Sequence, residues 1–385
     1  MIRVLHVVEN FDGQAVESWL ARVVTCDDFA DGQFQFDFFL LGIGAGKCVG
    51  PLLERGGGVH QGNPGGASLP QMAKALRRHV RAGSYDIVHI HQDVMAGVFA
   101  FALLGTGVRI ITHVHNCWQR LPVGGVLKER VLTALARQLT LRLSHAIVGV
   151  SRQALAKMLD RQRGDNRMDQ VIYCSVKGQG VRLRETDRVH LSAAFRHQCG
   201  WPPSTKIMLF LGRLDDYKNP IFALDILIQM INDGTQDACL IIAGVGGLDG
   251  RLQELVARHG LHDRVRLVGW VDDPTDLLLA SDLLLMPSQE LCGEGLGLAA
   301  VEAQGYGLPV LCSLSIPEDA AIIPDLFKRL PLSDGVKIWA SAANESLRRG
   351  KQDVAASMTS LEQSPFTDAA SYAALAALYD ACAAL

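Results

Sequence analysis

Short apolar runs rich in Val, Ile, Leu and Phe recur along the chain, and between them lie longer segments whose apolar positions return every three or four residues. The short runs predict strands at residues 2–8, 36–41, 87–90, 109–112, 146–150 and 171–173, then at 207–210, 238–243, 265–268, 283–286 and 310–312. Strands that alternate with helices build parallel sheets from βαβ units, and here the alternation starts twice. Residues 175–203, with scattered basic residues, little apolar periodicity and Pro202-Pro203 at the end, read as a connection carrying one short helix. The uncharged run at 94–108 is broken by Gly97, Gly105 and Gly107 and falls short of the roughly 18 residues of a spanning helix, so it reads as a buried helix. The Ala- and Leu-rich tail reads as a packed helix.

These elements predict an α/β chain of two Rossmann-like, doubly wound domains, over residues 1–190 and 191–365, with a C-terminal helix over 366–385 packing back on the first. Ligands of such sheets bind beyond the carboxyl ends of the strands, so the two domains are expected to face each other across a cleft that holds the site. A length of 385 residues gives each domain enough chain to bury its own core. With 49% hydrophobic and 20% charged residues, wholesale disorder is excluded. The nine cysteines are odd in number, scattered and never paired as C-x-x-C, which fits small core residues in a reducing cytoplasm rather than a disulfide frame or zinc site. Met1 to Val8 contains Arg3 and His6 and no long apolar core, so secretion is not expected.

Charge changes the picture in one respect. Residues 1–200 hold 24 Lys and Arg against 16 Asp and Glu, whereas the remainder holds 13 against 24, beneath a net charge of −3. Arg77, Arg78, Arg81, Arg120, Lys128, Arg130, Arg137 and Arg142 make the first half a candidate surface for an anionic membrane. The expected location is the cytoplasm, at the inner face of the cytoplasmic membrane, with no nucleic-acid partner.

The most informative segment is Glu290-Leu-Cys-Gly-Glu-Gly-Leu-Gly-Leu-Ala-Ala-Val-Glu302, a Gly-rich loop running into a helix. Gly293, Gly295 and Gly297 allow close approach of the backbone to a ligand, and N–H groups opening a helix favour an anion such as phosphate. Glu294 is expected in the loop and Glu302 about two turns into the helix. A carboxylate there can accept two hydrogen bonds from a vicinal diol, which suits a sugar or ribose. A second segment, Phe210-Leu-Gly-Arg-Leu-Asp-Asp-Tyr-Lys-Asn219, places Arg213 and Lys218 beyond a strand's carboxyl end, where they can neutralise a leaving pyrophosphate. Gly244 to Gly247 reads as an ordinary strand-to-helix turn, and Asp272, Asp273 and Asp276 around Pro274 as a turn and cap. His113 and His115 are read as pointing to opposite faces of one strand end, as are His89 and His91, so that His115 alone faces the ligand. No metal is expected on these histidines, since no Asp, Glu or Cys stands at ligand spacing.

In order along the chain, Tyr85-Asp-Ile-Val-His-Ile-His91, Thr112-His-Val-His-Asn116, Ala146-Ile-Val-Gly-Val-Ser151, Gly212-Arg213 with Lys218, Ala243-Gly-Val-Gly246 and the two glutamates resemble the GT-B retaining glycosyltransferases of family 4. The resemblance covers nearly the whole chain. The stretch from Leu311 through Ser315-Ile-Pro-Glu-Asp319 to Leu332-Ser333 and Trp339-Ala340 resembles the branch that builds bacterial exopolysaccharide and capsule. The resemblance implies an acceptor-side first domain and a second domain for a nucleoside diphosphate sugar, expected to be a UDP-sugar. It further implies that Arg213 and Lys218 grip the donor diphosphate, Glu302 binds the ribose, Glu294 contacts the sugar, and Gly295, Leu296, Gly297 and Leu298 present amides to sugar or phosphate. His115 would reach the sugar from the first domain, and Val271 would lie near the base. The reaction implied is hexosyl transfer, with retention, to a glycan or lipid-linked acceptor, needing no cofactor and no metal; the sequence has no D-x-D triplet.

Two segments depart from the family. Gly13-Gln-Ala-Val-Glu17 stands where many members have Gly-Gly-x-Glu, so Gly13 and Gln14 mark an altered phosphate or acceptor loop. Tyr173-Cys-Ser-Val-Lys177 replaces Tyr-Asn-Gly-(Ile/Val)-Asp and exchanges an acid for a base. The alternatives are a GT-B-type nucleotide-sugar epimerase, which would release nucleotide without an acceptor, and a non-catalytic sugar-nucleotide-binding partner.

Overall fold

The computed structural model describes the chain except for residues 10–14, 26–31, 43–48, 55, 63–64, 118–125, 160–167, 177–183 and 292. It divides into two compact units, the first joining Met1–Ser175 with Pro365–Leu385, the second being Val176–Ser364. The first unit runs β1 (Ile2–Val8), α1 (Ala15–Thr25), β2 (Phe34–Leu40), α2 (Val49–Glu54), β3 (Val59–Gln61), α3 (Leu69–Ala82), β4 (Ile87–Ile90), α4 (Ala96–Ala102), β5 (Arg109–Val114), α5 (Val126–Leu143), β6 (Ala146–Gly149), α6 (Arg152–Leu159) and β7 (Gln170–Val171). The second runs α7 (Glu185–Gln198), β8 (Lys206–Leu211), α8 (Pro220–Asn232), β9 (Ala238–Ala243), α9 (Asp249–Arg258), β10 (Val265–Gly269), α10 (Thr275–Ala280), β11 (Leu283–Met286), α11 (Leu298–Gly305), β12 (Val310–Ser313), β13 (Phe327–Leu330), α12 (Gly335–Arg349) and α13 (Val354–Glu362). A last helix, α14 (Asp368–Ala383), belongs to the first unit.

Each unit holds one parallel sheet, ordered β3-β2-β1-β4-β5-β6-β7 in the first and β10-β9-β8-β11-β12-β13 in the second. Strand order reverses between β1 and β4, and between β8 and β11, which are the switch points where doubly wound sheets take ligands. The central strands are buried on both faces, and β9 is buried at every position, which is why they read as unbroken apolar runs. Of the four edge strands, two escaped the sequence pattern: β3 is three residues long, and β13 is the half-buried Phe-Lys-Arg-Leu.

The connection at 175–203 contains a full helix, α7, and the expected boundary at residue 190 lies inside it. Its inward face carries two arginines, which hides the helical period. Arg196 Nη2 donates to Asp282 Oδ2 at 2.5 Å and its Nε to Thr205 O at 2.8 Å, while Arg188 pairs with Glu185 and donates to Gln352 O at 2.7 Å. The run at 94–108 forms α4 after a short 3-10 turn at Asp93–Met95, and Gly105 and Gly107 end it with φ of +72° and +85°. Gly97 lets α4 lie against α5, since a Cβ there would meet Ala136 O at 2.0 Å.

Candidate active site

In the second unit, three loops at the carboxyl end of the sheet converge. The first follows β8, where Asn219, in the left-handed region at φ +58°, opens α8 and turns Lys218 back over the strand ends. Lys218 Nζ donates to Glu294 Oε1 at 2.7 Å, and its backbone N donates to Asp215 Oδ1 at 2.9 Å. Glu294, from the loop after β11, is buried. The Ser288 hydroxyl donates to the same carboxylate oxygen, and Glu294 N donates to Ser315 O at 3.0 Å and to Ser315 Oγ at 3.1 Å. Ser313 Oγ, at the end of β12, donates to Ser288 O at 2.6 Å and ties the second loop to the third. A lysine and a glutamate held this way straddle the β8/β11 switch point, so cation and hydrogen-bond acceptor are presented together.

The remaining sequence candidates of this unit are placed less tightly. Arg213 sits in the same loop as Lys218, but its side chain is 68% exposed and pairs with Asp215 at 3.2 Å. Glu302 lies on α11, one turn from its start rather than two, because Gly297 holds φ +83° and delays the helix to Leu298. Gly295 and Gly297 flank the buried Leu296 before Leu298 opens α11, and Val271 follows β10. Gly244 and Gly246 serve packing: a Cβ on Gly244 would meet Gly212 O at 1.8 Å, and one on Gly246 would meet Leu214 O at 2.3 Å. The aspartates after β10 make local bonds, Trp270 Nε1 to Asp272 Oδ1 at 2.9 Å and Thr275 N to Asp273 Oδ1 at 3.0 Å. Gly13, Gln14 and Lys177 lie outside the described residues.

In the first unit the histidines depart from the expectation. Residues two apart on a strand point to the same face, and His6 of β1, His89 of β4, His113 of β5 and the residues just beyond the last two strands, His91 and His115, form one buried group. His6 Nδ1 lies 3.0 Å from His91 Nε2, and His91 Nδ1 lies 2.9 Å from His115 Nε2. His89 Nδ1 lies 2.9 Å from the Tyr379 hydroxyl of α14. Burial pushes His6 and His115 down to about 3 and His89, His91 and His113 well below the ordinary range, so all five rings are neutral at pH 7. Nitrogens of His6, His89 and His91, and of His91, His113 and His115, lie within 4.8 Å of one another, close enough for an ion in each set. The ring planes do not converge, however. His89 stacks on His91, and His113 on His115, each with centroids 4.2 Å apart and planes within 28°. An ion shared by a stacked pair would lie off the plane of at least one ring, where imidazole has no lone pair.

Asp93 was not legible as a site residue. It has φ +45°, is half-buried, and accepts from His115 N at 2.7 Å, Asn116 N at 3.1 Å and Asn116 Nδ2 at 2.9 Å, clamping the loop that carries His115. Burial outweighs these bonds and lifts its carboxyl to about 6. Ser288, Ser313 and Ser315 were likewise missed. A lone polar residue at a strand end breaks no period, and only its place beyond a carboxyl terminus marks it.

Two doubly wound parallel units of this kind, each with polar side chains gathered beyond the strand ends, are the architecture of GT-B glycosyltransferases. The family model for Glycosyltransferase Family 4 matches residues 41–177, and that for Glycosyl transferases group 1 matches residues 192–328. EpsF of Bacillus subtilis (strain 168), named as a glycosyltransferase, is 26% identical over 361 residues, covering 91% of this chain and 88% of that one. D-inositol 3-phosphate glycosyltransferase of Streptomyces bingchenggensis (strain BCW-1) is 25% identical, covering 60% of this chain and only 52% of its own length. Among solved structures, Anabaena Alr3699/HepE in complex with UDP and glucose superposes with a TM-score of 0.72 at 17% identity, covering 99% of this chain and 100% of that one. The lipopolysaccharide outer core galactosyltransferase WaaB gives 0.70 at 16%, covering 99% of each. The chain belongs to glycosyltransferase family 4 and has its GT-B fold.

Proposed function

We propose that the protein is a retaining, metal-independent hexosyltransferase that moves sugar from a UDP-sugar to a glycan or glycolipid acceptor in bacterial exopolysaccharide, capsule or lipopolysaccharide synthesis. The observation that carries this reading is the pairing of half-buried Lys218 with buried Glu294 at the β8/β11 switch point. Lys218, with the more exposed Arg213, supplies positive charge for a leaving diphosphate, and Glu294 accepts from sugar hydroxyls. The acceptor hydroxyl attacks the anomeric carbon on the face the diphosphate leaves, and its proton passes to a diphosphate oxygen. Glu302 takes the ribose, Val271 lies by the base, and His115 reaches the sugar. EpsF, WaaB and the HepE complex with UDP and glucose support the donor and product classes.

Calorimetry with UDP, GDP and ADP and their glucose, galactose, mannose and N-acetylglucosamine forms tests the donor site. One diphosphate should bind at micromolar Kd and be lost in Glu302→Ala, while Glu294→Ala should cut turnover by roughly 10²-fold or more. Donor consumption without acceptor would favour an epimerase, and absence of binding by every member would favour a non-catalytic role.

The same reading places the enzyme at an anionic membrane. On α5, Leu127, Val131 and Leu135 recur every four residues, are 77%, 59% and 56% exposed, and are flanked by exposed Lys128, Arg130 and Arg142. An apolar stripe edged with cations matches an anionic bilayer surface. Among the described residues no helix is long and apolar enough to cross a membrane.

A further inference from the structure

The five histidines form two layers. In the outer one, His6, His91 and His115 meet edge to edge, with centroids 5.3 and 5.2 Å apart and planes 24° and 28° apart. In the inner one, His89 and His113 lie 5.3 Å apart with planes at 5°. Tyr379 joins the layers, its hydroxyl 2.9 Å from His89 Nδ1 and 3.5 Å from His6 Nε2. The side chain of Tyr379 is wholly buried, and it comes from α14, some 264 residues further along the chain than His115.

We propose that Tyr379 and His6 are positioning residues that hold His115 in a single tautomer through this hydrogen-bonded chain. The inference rests on the reading of His115 as the group that reaches the sugar. A neutral imidazole carries one N–H and one bare nitrogen. His91 therefore donates at one of its two contacts and accepts at the other, and so does His6. Reversing one ring alone would set two N–H groups, or two lone pairs, against each other at a buried joint, so the rings reverse only together. The Tyr379 hydroxyl has one proton, and a phenolic O–H is the stronger donor, so it donates across the short 2.9 Å contact to His89 Nδ1 and accepts across the longer 3.5 Å contact from His6 Nε2, which sets the order of His6 and, through it, of His91 and His115. At the opposite end stands His115 Nδ1, which has no hydrogen-bond partner among the described residues. Whether that nitrogen offers a proton or a lone pair is thus decided from α14. Asp93 fixes the backbone of His115 independently of this chain, so the hydroxyl governs the ring's tautomer rather than the loop's position.

The test is 15N NMR of histidine-labelled protein at pH 7, with the His115 signals assigned by their loss in His115→Asn. Wild type should show one pyrrole-type and one pyridine-type nitrogen at His115, and Tyr379→Phe should draw the two toward each other. Turnover in Tyr379→Phe should fall several-fold with the donor KM unchanged. His6→Gln, which breaks the next joint, should do the same and serves if Tyr379→Phe fails to fold. Averaged His115 signals in wild type, or a split that survives both substitutions, would overturn the proposal. A changed tautomer with unchanged turnover would overturn the positioning role. If His115→Asn itself transfers at the wild-type rate, the chain stands and the reading of His115 at the sugar falls.

Discussion

Lys218 and Glu294 stand 76 positions apart in sequence and 2.7 Å apart in the fold, and each was legible because a charged residue in a Gly-containing loop after an apolar strand has few structural reasons to be there. Asp93 and the three serines were not, since short polar residues at strand ends look like any turn. The pleat was also misread at His113 and His115, where a spacing of two means one face and not two. Glycine gives a sharper residue-scale prediction. Gly244 has φ +140°, and any Cβ would fall 1.8 Å from Gly212 O in the backbone that leads to Lys218. Gly244→Ala should therefore cost at least about 2–4 kcal/mol and displace the β8 loop, whereas Gly247→Ala, which meets nothing within 4 Å, should be nearly silent. Thermal melting and donor binding of the two variants check this, and equal behaviour would show that the Gly212 approach does not constrain the loop.

At the scale of elements, strands buried on both faces announced themselves, while elements with mixed faces did not. β3 and β13 close the sheet edges with few apolar positions, and α7 turns Arg188 and Arg196 inward on partners the pattern cannot show. The basic segment over α3 and α5 was legible as charge but not as structure. Arg137 donates to Met158 O and Lys157 O and caps α6, and Arg77 donates to Leu104 O at 2.7 Å beyond α4, so neither is a free surface cation. The exposed stripe of α5 is what remains for a membrane. Changing Leu127, Val131 and Leu135 to Ser should abolish sedimentation with vesicles containing anionic lipid, and Lys128→Glu with Arg130→Glu should weaken it in a salt-dependent way. Wild type that ignores such vesicles, or a stripe variant that binds as well, would remove the membrane from the proposal.

At the scale of the whole molecule, the alternation of strands and helices and the apolar tail led to two units with a last helix packing back on the first; the chain leaves the first unit at Ser175, earlier than the boundary expected at 190, and rejoins it at Pro365. The return is fastened by Ser371 Oγ donating to Tyr173 O at 2.7 Å, Arg22 Nε donating to Asp368 Oδ1 at 3.4 Å and Gln33 donating to Asp380 at 2.8 Å. It also brings Tyr379 to histidines that the strands had already gathered, so the first unit buries five neutral rings that an unfolded chain would expose. Their folded pKa values lie below the usual 6.5, two of them at about 3. As pH falls below 6.5 the unfolded chain takes up protons the folded unit refuses, and stability drops by up to ~1.4 kcal/mol per pH unit for each ring. Asp93 works the other way. Its carboxyl, lifted to about 6, holds a proton in the fold that the unfolded chain releases above about 4, so it gains stability on acidification, but it is one group against five. Coupling among the rings reduces the sum, yet a net loss on the order of several kcal/mol by pH 5 is large against a typical total of about 5–15 kcal/mol. The melting midpoint should therefore fall by roughly 10 °C or more between pH 7 and pH 5, and a midpoint that stays flat over that interval would mean the rings are not held neutral in the folded protein.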